Sequence, residues 1–138
     1  MSVRRLCAWA LGLVLLAAAW PKLVDPPGFA QILFHYRLFS EPIRHGLALV
    51  VPWLELWMGL ALLTGRGATG AARLALLLML AFAAAIGINL LRGNPIDCGC
   101  FGAGPVRSAA EKLAAMRWEI LRDLAFAVLA LPLWRPRA

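Results

Sequence analysis

GAARLALLLMLAFAAAIGINLL, residues 70–91, carries a single charged side chain, Arg73, along its whole length. A helix rises 1.5 Å per residue, so roughly 20 apolar residues cross a hydrocarbon core about 30 Å thick. Lipid offers the backbone no hydrogen bonds, which makes a helix the form such a run takes. Working outward, residues 6–24 and 44–64 are runs of the same kind. A fourth span, 115–134, is weaker, because it reaches back from the apolar 124–134 stretch across Asp123, Arg122 and Glu119. Its helix start is well marked: Ser108 and Glu111 have capping-box spacing, and one helix is expected from about 109 to 131. The expected fold is all-α, an integral membrane four-helix bundle in a single domain over residues 1–138.

Composition agrees. Of 138 residues, 62% are hydrophobic and 15% charged, against about 45–50% and roughly 25% in an ordinary soluble domain. Disorder is excluded by the apolar content. The net charge of +7 would suit nucleic acid on a soluble chain, but here the bases flank apolar runs, so the partner is a lipid bilayer. Arg4-Arg5, an apolar run and Ala17-Ala18-Ala19 have the outline of a signal peptide. The run continues through Trp20-Pro21 to spanning length, and we read it as a retained helix.

Arginine placement gives the orientation. Arg4, Arg5, Arg66, Arg73, Arg135 and Arg137 crowd short segments on one side with no acid among them. The other eight basic residues are spread over longer loops that also hold six acids. Density beside the membrane ends decides, so both termini are expected in the cytoplasm of a bacterial inner membrane, with loops 25–43 and 92–107 in the periplasm. Trp9 and Trp134 then mark the inner boundary, Trp20 and Trp118 the outer. Trp53 and Trp57 fall mid-span, one turn apart, as packing residues or the wall of a pocket for a flat ligand.

In the first outer loop, Asp25-Pro26-Pro27-Gly28 breaks the first helix. Phe29, Ile32, Leu33, Tyr36 and Phe39 then recur at helical spacing, which predicts a short interfacial helix, an anchor in preference to a lid.

The chemistry is concentrated in Asn94-Pro-Ile-Asp97-Cys98-Gly99-Cys100-Phe101-Gly102. Two cysteines flank one glycine just beyond the third span, on the oxidising side. A disulfide needs Cα atoms about 4.4–6.8 Å apart, which residues i and i+2 reach only through a bend that Gly99 permits. Closing so small a loop gains little stability, and strained, exposed bridges are the exchangeable ones. Asp97 disfavours a neighbouring thiolate yet is placed to accept a proton during exchange. Two other readings stay open: a structural turn disulfide, and a metal site in which His35 and His45 complete a set with Cys98 and Cys100.

Lys22-Leu-Val-Asp-Pro26, Pro52-Trp-Leu-Glu-Leu-Trp-Met-Gly59, Ile88-Asn-Leu-Leu-Arg-Gly93 leading into the Asp97-Cys-Gly-Cys-Phe-Gly102 run, and Arg122-Asp-Leu together resemble the MauE family of methylamine-utilisation membrane proteins. The resemblance covers nearly the whole chain. It implies a DoxX-like four-helix fold and a role in maturing periplasmic proteins. A thioredoxin-like partner is implied as well, with disulfide formation in a client such as the small subunit of methylamine dehydrogenase. The architecture is also similar to membrane oxidoreductases that pass electrons from thiols to quinone. Those carry Cys-x-x-Cys and often a second pair, which this chain lacks.

Ionisable groups inside spans are costly and are usually interior and functional. Glu55 and Arg122 are expected to pair across the bundle with Asp123 assisting, Lys22 to snorkel from a helix end, and Asn89 to tie helices together. Such a cluster is either a clamp on packing or a proton path or quinone-facing site beneath the cysteines. The leading expectation is a thiol–disulfide oxidoreductase working through Cys98 and Cys100 with a periplasmic thioredoxin-like protein or client thiol. Trp53, Trp57 and Phe101 are the candidate pocket residues, and quinone is the one cofactor in view. The alternatives are a metal or small-molecule binding or transport subunit with the cysteines as soft ligands, and an assembly factor whose cysteines are incidental.

Overall fold

Caps set out the helices in the computed structural model, which describes residues 2–99 and 107–136. The first helix, α1 (Val3–Val24), starts at Ser2, whose hydroxyl accepts the Arg5 amide at 3.3 Å. It stops at Asp25, which also opens the short α2 (Pro26–Tyr36): the Asp25 carboxylate accepts the Gly28 amide at 3.1 Å. Pro26 fills a first-turn position where no amide is needed. α3 (Glu41–Thr64) and α4 (Ala68–Leu91) follow. α5 (Ala109–Ala130) begins where the capping-box spacing predicts, with the Ser108 hydroxyl accepting the Glu111 amide at 3.2 Å. A 3-10 turn, Leu131–Leu133, ends it. The described residues are all helical or connecting, with no strand.

Three helices, α1, α3 and α4, are long and apolar enough to cross a membrane. This is a membrane-type protein. α5 has comparable length but carries Glu111, Lys112, Arg117, Glu119, Arg122 and Asp123 in its first fifteen residues.

α1 packs most extensively along α3, and α4 along α5. The α1–α3 contact is a close one. A Cβ on Gly12 would lie 3.0 Å from the Gly59 carbonyl oxygen, and one on Gly59 would lie 2.8 Å from Leu16 Cγ. Paired glycines let two membrane helices approach backbone to backbone. Around this seam lies one core of small and aliphatic side chains, including Leu11, Leu15, Met58, Leu62, Ala72 and Ala75. A second core, nearer the α2 end, is built of Phe29, Leu33, Tyr36, Ile86, Ile96, Cys98 and Met116.

That second core corrects the expectation for the first outer loop. The helix is present, but its stripe does not lie on the membrane surface as an anchor: Phe29, Leu33 and Tyr36 are buried inside the protein. The break at Asp25 folds α2 back over the ends of α3 and α4, which supply an apolar surface closer than the lipid.

Candidate functional site

The site is assembled from the last turn of α1, the middles of α3 and α5 and the segment after α4. Lys22 sits in the last turn of α1. Side chains on a helix lean toward its N-terminus, so Lys22 reaches down alongside α3 and meets Glu55. Its Nζ lies 2.7 Å from Oε1 and 2.9 Å from Oε2, with both side chains fully buried. The Lys22 ammonium also faces the rings of Phe29 (5.2 Å) and Phe82 (5.6 Å).

The expected Glu55–Arg122 pair is therefore replaced by Glu55–Lys22, and Lys22 does not snorkel. The close α1–α3 seam holds Lys22 over Glu55, whereas Arg122 belongs to α5, which packs mainly on α4. Arg122 is turned toward the segment after α4. Its Nη2 donates to Cys98 Sγ at 3.3 Å and lies 3.4 Å from Oδ1 of the buried Asp123. Lys22 interacts electrostatically with both Asp123 and Arg122. Lys22, Glu55 and Asp123 are buried, and the partly exposed Arg122 joins Asp123 to the Cys98 sulfur.

The cysteine segment is held from three sides. Cys98 is 4% exposed and disulfide-bonded, and Cys7 is the free thiol among the described residues. The Tyr36 hydroxyl donates to the Cys98 carbonyl at 2.6 Å, fastening the segment to α2. Gly99 has φ 74, and a Cβ there would lie 2.7 Å from Ile32 Cγ2. Glycine is thus required twice over, for the left-handed backbone and for the contact with α2. Asn89 Nδ2 donates to the Ala85 carbonyl of its own helix, and its Oδ1 accepts from Asn94 Nδ2, which also reaches the His35 carbonyl at 2.9 Å. Asn89 ties α4 to α2 by this relay, not directly to another helix. Asp97 Oδ2 lies 3.4 Å from Lys112 Nζ, a partly exposed pair that links the segment to the start of α5.

Tyr36 and Glu119 carry signals that sequence reasoning passed over. Burial pushes the Tyr36 phenol above its ordinary range, and nearby carboxylates, Glu119 first, add to the shift. Glu119 Oε2 is buried with no hydrogen-bond partner among the described residues. Spacing alone makes Tyr36 one more apolar stripe residue; its hydroxyl, in a chain with one tyrosine, is the signal that sets it apart.

Other expected site residues do not come together. Trp53 and Trp57 are 62% and 51% exposed on the outer face of α3, so they are neither packing residues nor walls of a described cavity. The 3.6-residue repeat puts them opposite Glu55, which faces inward. His35 and His45 are exposed, and among the described residues no three His, Cys, Asp or Glu side chains come together to hold a metal. Cys100 and Phe101 lie outside the described residues. An apolar cavity of about 190 Å³ opens between α2, α3 and α4, lined by Phe29, Tyr36, Phe39, Val51 and Phe82 among others.

Helices of membrane-spanning character, a buried ion pair and a half-cystine against an arginine define the class: a polytopic membrane protein with a polar layer under a cysteine segment. The chain belongs to the MauE family, whose model, described as methylamine utilisation protein MauE, matches residues 2–135. Similar proteins named methylamine utilization protein MauE come from several organisms. The one from Paracoccus denitrificans is 34% identical over 131 residues, 91% of this chain and 70% of the relative. The one from Methylorubrum extorquens is 44% identical over 93 residues, covering 67% and 50%. The one from Methylophilus methylotrophus is 36% identical over 122 residues, covering 88% and 62%. The chain thus spans between half and 70% of the length of these relatives. No solved structure matches it.

Proposed function

We propose that the protein is a membrane thiol–disulfide exchanger in which Cys98 and Cys100 form the exchanging pair. The observation that carries the reading is the Cys98 sulfur, disulfide-bonded and 3.3 Å from the Arg122 guanidinium. An adjacent arginine favours the thiolate over the thiol. Because Cys98 is buried, the reading takes Cys100 as the attacked sulfur. A thiolate of a thioredoxin-like partner or client bonds to the Cys100 sulfur, the Cys98–Cys100 bond breaks, and the pair of electrons leaves on Cys98, where Arg122 offsets the charge. The partner's second thiolate then attacks the mixed disulfide and expels Cys100. The partner ends as a disulfide, this chain as a dithiol, and two electrons and two protons have moved.

Regenerating the pair requires an acceptor of two electrons and two protons, which a bilayer quinone supplies when bound. The apolar cavity beside Tyr36 suits a flat ring, and Tyr36 fastens that wall to the Cys98 backbone. The reading includes a fourth span through α5, termini in the cytoplasm of a bacterial inner membrane, and cysteines on the periplasmic face. The names of the relatives point to methylamine utilisation as the setting, and the reading takes a methylamine dehydrogenase-type protein as the client.

Trapping tests the assignment. With Cys98→Ser, the Cys100 thiolate attacks the disulfide of an oxidised thioredoxin-like protein and this chain keeps no second thiolate to release it, so a covalent complex should accumulate. With Cys100→Ser, whose remaining sulfur is the buried Cys98, it should not. The reverse pattern overturns the assignment. Retained function in the double variant overturns the exchanger reading, as does stoichiometric metal that blocks alkylation until a chelator is added.

A further inference from the structure

The end of the molecule away from Cys98 holds a groove of about 530 Å³ between the start of α1 and the turn joining α3 to α4. Arg4, Arg5 and Arg66 line it together with the apolar Trp9 and Leu63. None of the chain's seven acidic side chains lies at this end. Asp25, Glu41, Asp97 and Glu111 belong to the opposite helix ends, and Glu55, Glu119 and Asp123 lie inside helices. The three guanidinium charges form no salt bridge among the described residues. Arg4 is held in place without being neutralised: its Nη1 donates to the Pro132 and Arg135 carbonyls at 3.0 and 2.8 Å, and its Nη2 to Thr69 Oγ1 at 3.3 Å. Arg5 lies over the Trp9 ring at 5.6 Å. Arg66 is exposed at the turn.

We propose that this groove binds the headgroup phosphate of an anionic phospholipid. A guanidinium presents a planar fork that matches phosphate oxygens, and basic recesses at membrane-helix ends are places where such headgroups are held. The apolar part of the lining decides between a lipid and a free anion. Trp9 and Leu63 give the glycerol and upper acyl chain an apolar wall, for which inorganic phosphate has no use. Trp9 is also of the residue type that settles at headgroup depth. The site is independent of the exchange reaction and would stand if that reading fell.

The test uses the full chain, purified in a neutral detergent and titrated with phosphatidylglycerol, phosphatidylcholine or inorganic phosphate. Bound lipid is counted by native mass spectrometry, with the thermal midpoint recorded beside it. Phosphatidylglycerol should be retained and should raise the midpoint, whereas phosphatidylcholine and inorganic phosphate should not. Arg5→Gln/Arg66→Gln should weaken retention about fivefold for each charge removed. Arg66→Gln alone, in an exposed turn that cannot compromise folding, should give about half of that effect on a logarithmic scale. Equal retention of phosphatidylcholine, or unchanged retention in Arg66→Gln, overturns the site. Inorganic phosphate that raises the midpoint as much as the lipid assigns the groove to a soluble anion and overturns the lipid reading.

Discussion

The two cores of this protein solve burial by different means. The one around Gly12 and Gly59 is filled by leucine, alanine and methionine and keeps no ionised group inside. The one under α2 surrounds Lys22, Glu55, Asn89 and Asp123, each almost wholly buried. Membrane helices hold together by close packing without any buried charge, as the first core does. Burying ions is costly in lipid, so the second core is not what packing alone would select. The contrast supports the proposed exchange reading: the fold accepts this cost at the end that holds Cys98.

The largest effect should come from breaking the ion pair on one side. Lys22→Met leaves Glu55 buried without its cation, a change that costs about 3–5 kcal/mol where such pairs have been split. Thermal unfolding in detergent should show it as a steep fall in midpoint. Lys22→Met/Glu55→Leu removes both charges and should recover most of the loss, because a well-packed apolar pair replaces a buried ion pair at little or no cost. A double variant as unstable as the single one would mean that the charges hold the fold together. The contrast between the cores would then be structural in origin.

A smaller loss is expected from the other core. Gly59→Leu drives a side chain against Leu16 and the Gly12 carbonyl, and overpacking of this kind costs about 1–3 kcal/mol. Because the α1–α3 seam sets Lys22 over Glu55, this variant should also weaken coupling between those two residues. A Lys22/Glu55 double-mutant cycle repeated in the Gly59→Leu background would measure that change. Unchanged coupling would make the two cores independent.

Tyr36→Phe should cost about 1 kcal/mol, the usual net worth of one hydrogen bond, since the hydroxyl donates to the Cys98 carbonyl. Its pH dependence has a definite sign. The phenol is raised in the folded protein by burial, so above the unfolded value of about 10 the native state keeps a proton that the unfolded chain has lost. Stability should therefore be flat below pH 10 and fall above it by about 1.4 kcal/mol per pH unit from this group. Tyr36→Phe should remove that component of the alkaline slope. A slope identical in both proteins would place the titration elsewhere.

Much of this was legible in the sequence. Helix boundaries came from runs of apolar residues and from local caps, Ser108 and Asp25 among them, because both signals are written in consecutive residues. Identifying Cys98 was likewise local. Who pairs with whom was not, since the choice between Arg122 and Lys22 for Glu55 depends on which helices touch. The Gly12–Gly59 approach settles that choice, but neither glycine stands out without the helix pairing. The α2 stripe was read correctly as a stripe and assigned to the wrong medium, because lipid and protein interior present the same apolar surface to Phe29 and Leu33. Trp53 and Trp57 failed for the opposite reason: an aromatic mid-span is as well accommodated by acyl chains as by a core.

The smallest stability effect should be at Asp97, and it sharpens the comparison from the side of chemistry. Its contact with Lys112 is 3.4 Å long and both side chains are about a third exposed. Pairs of that kind are worth about 0–1 kcal/mol, so Asp97→Asn should leave the thermal midpoint almost unchanged. The rate of thiol exchange is the more telling measurement. If Asp97 accepts a proton during exchange, Asp97→Asn should slow alkylation-monitored reduction of Cys98 by a small-molecule dithiol, while Lys112→Gln, which breaks the same contact, should not. If instead the carboxylate only repels a thiolate on the next residue, Asp97→Asn should speed reduction. Equal rates in all three proteins would remove Asp97 from the chemistry and leave Arg122, in direct contact with the sulfur, as the residue that sets the reactivity of Cys98.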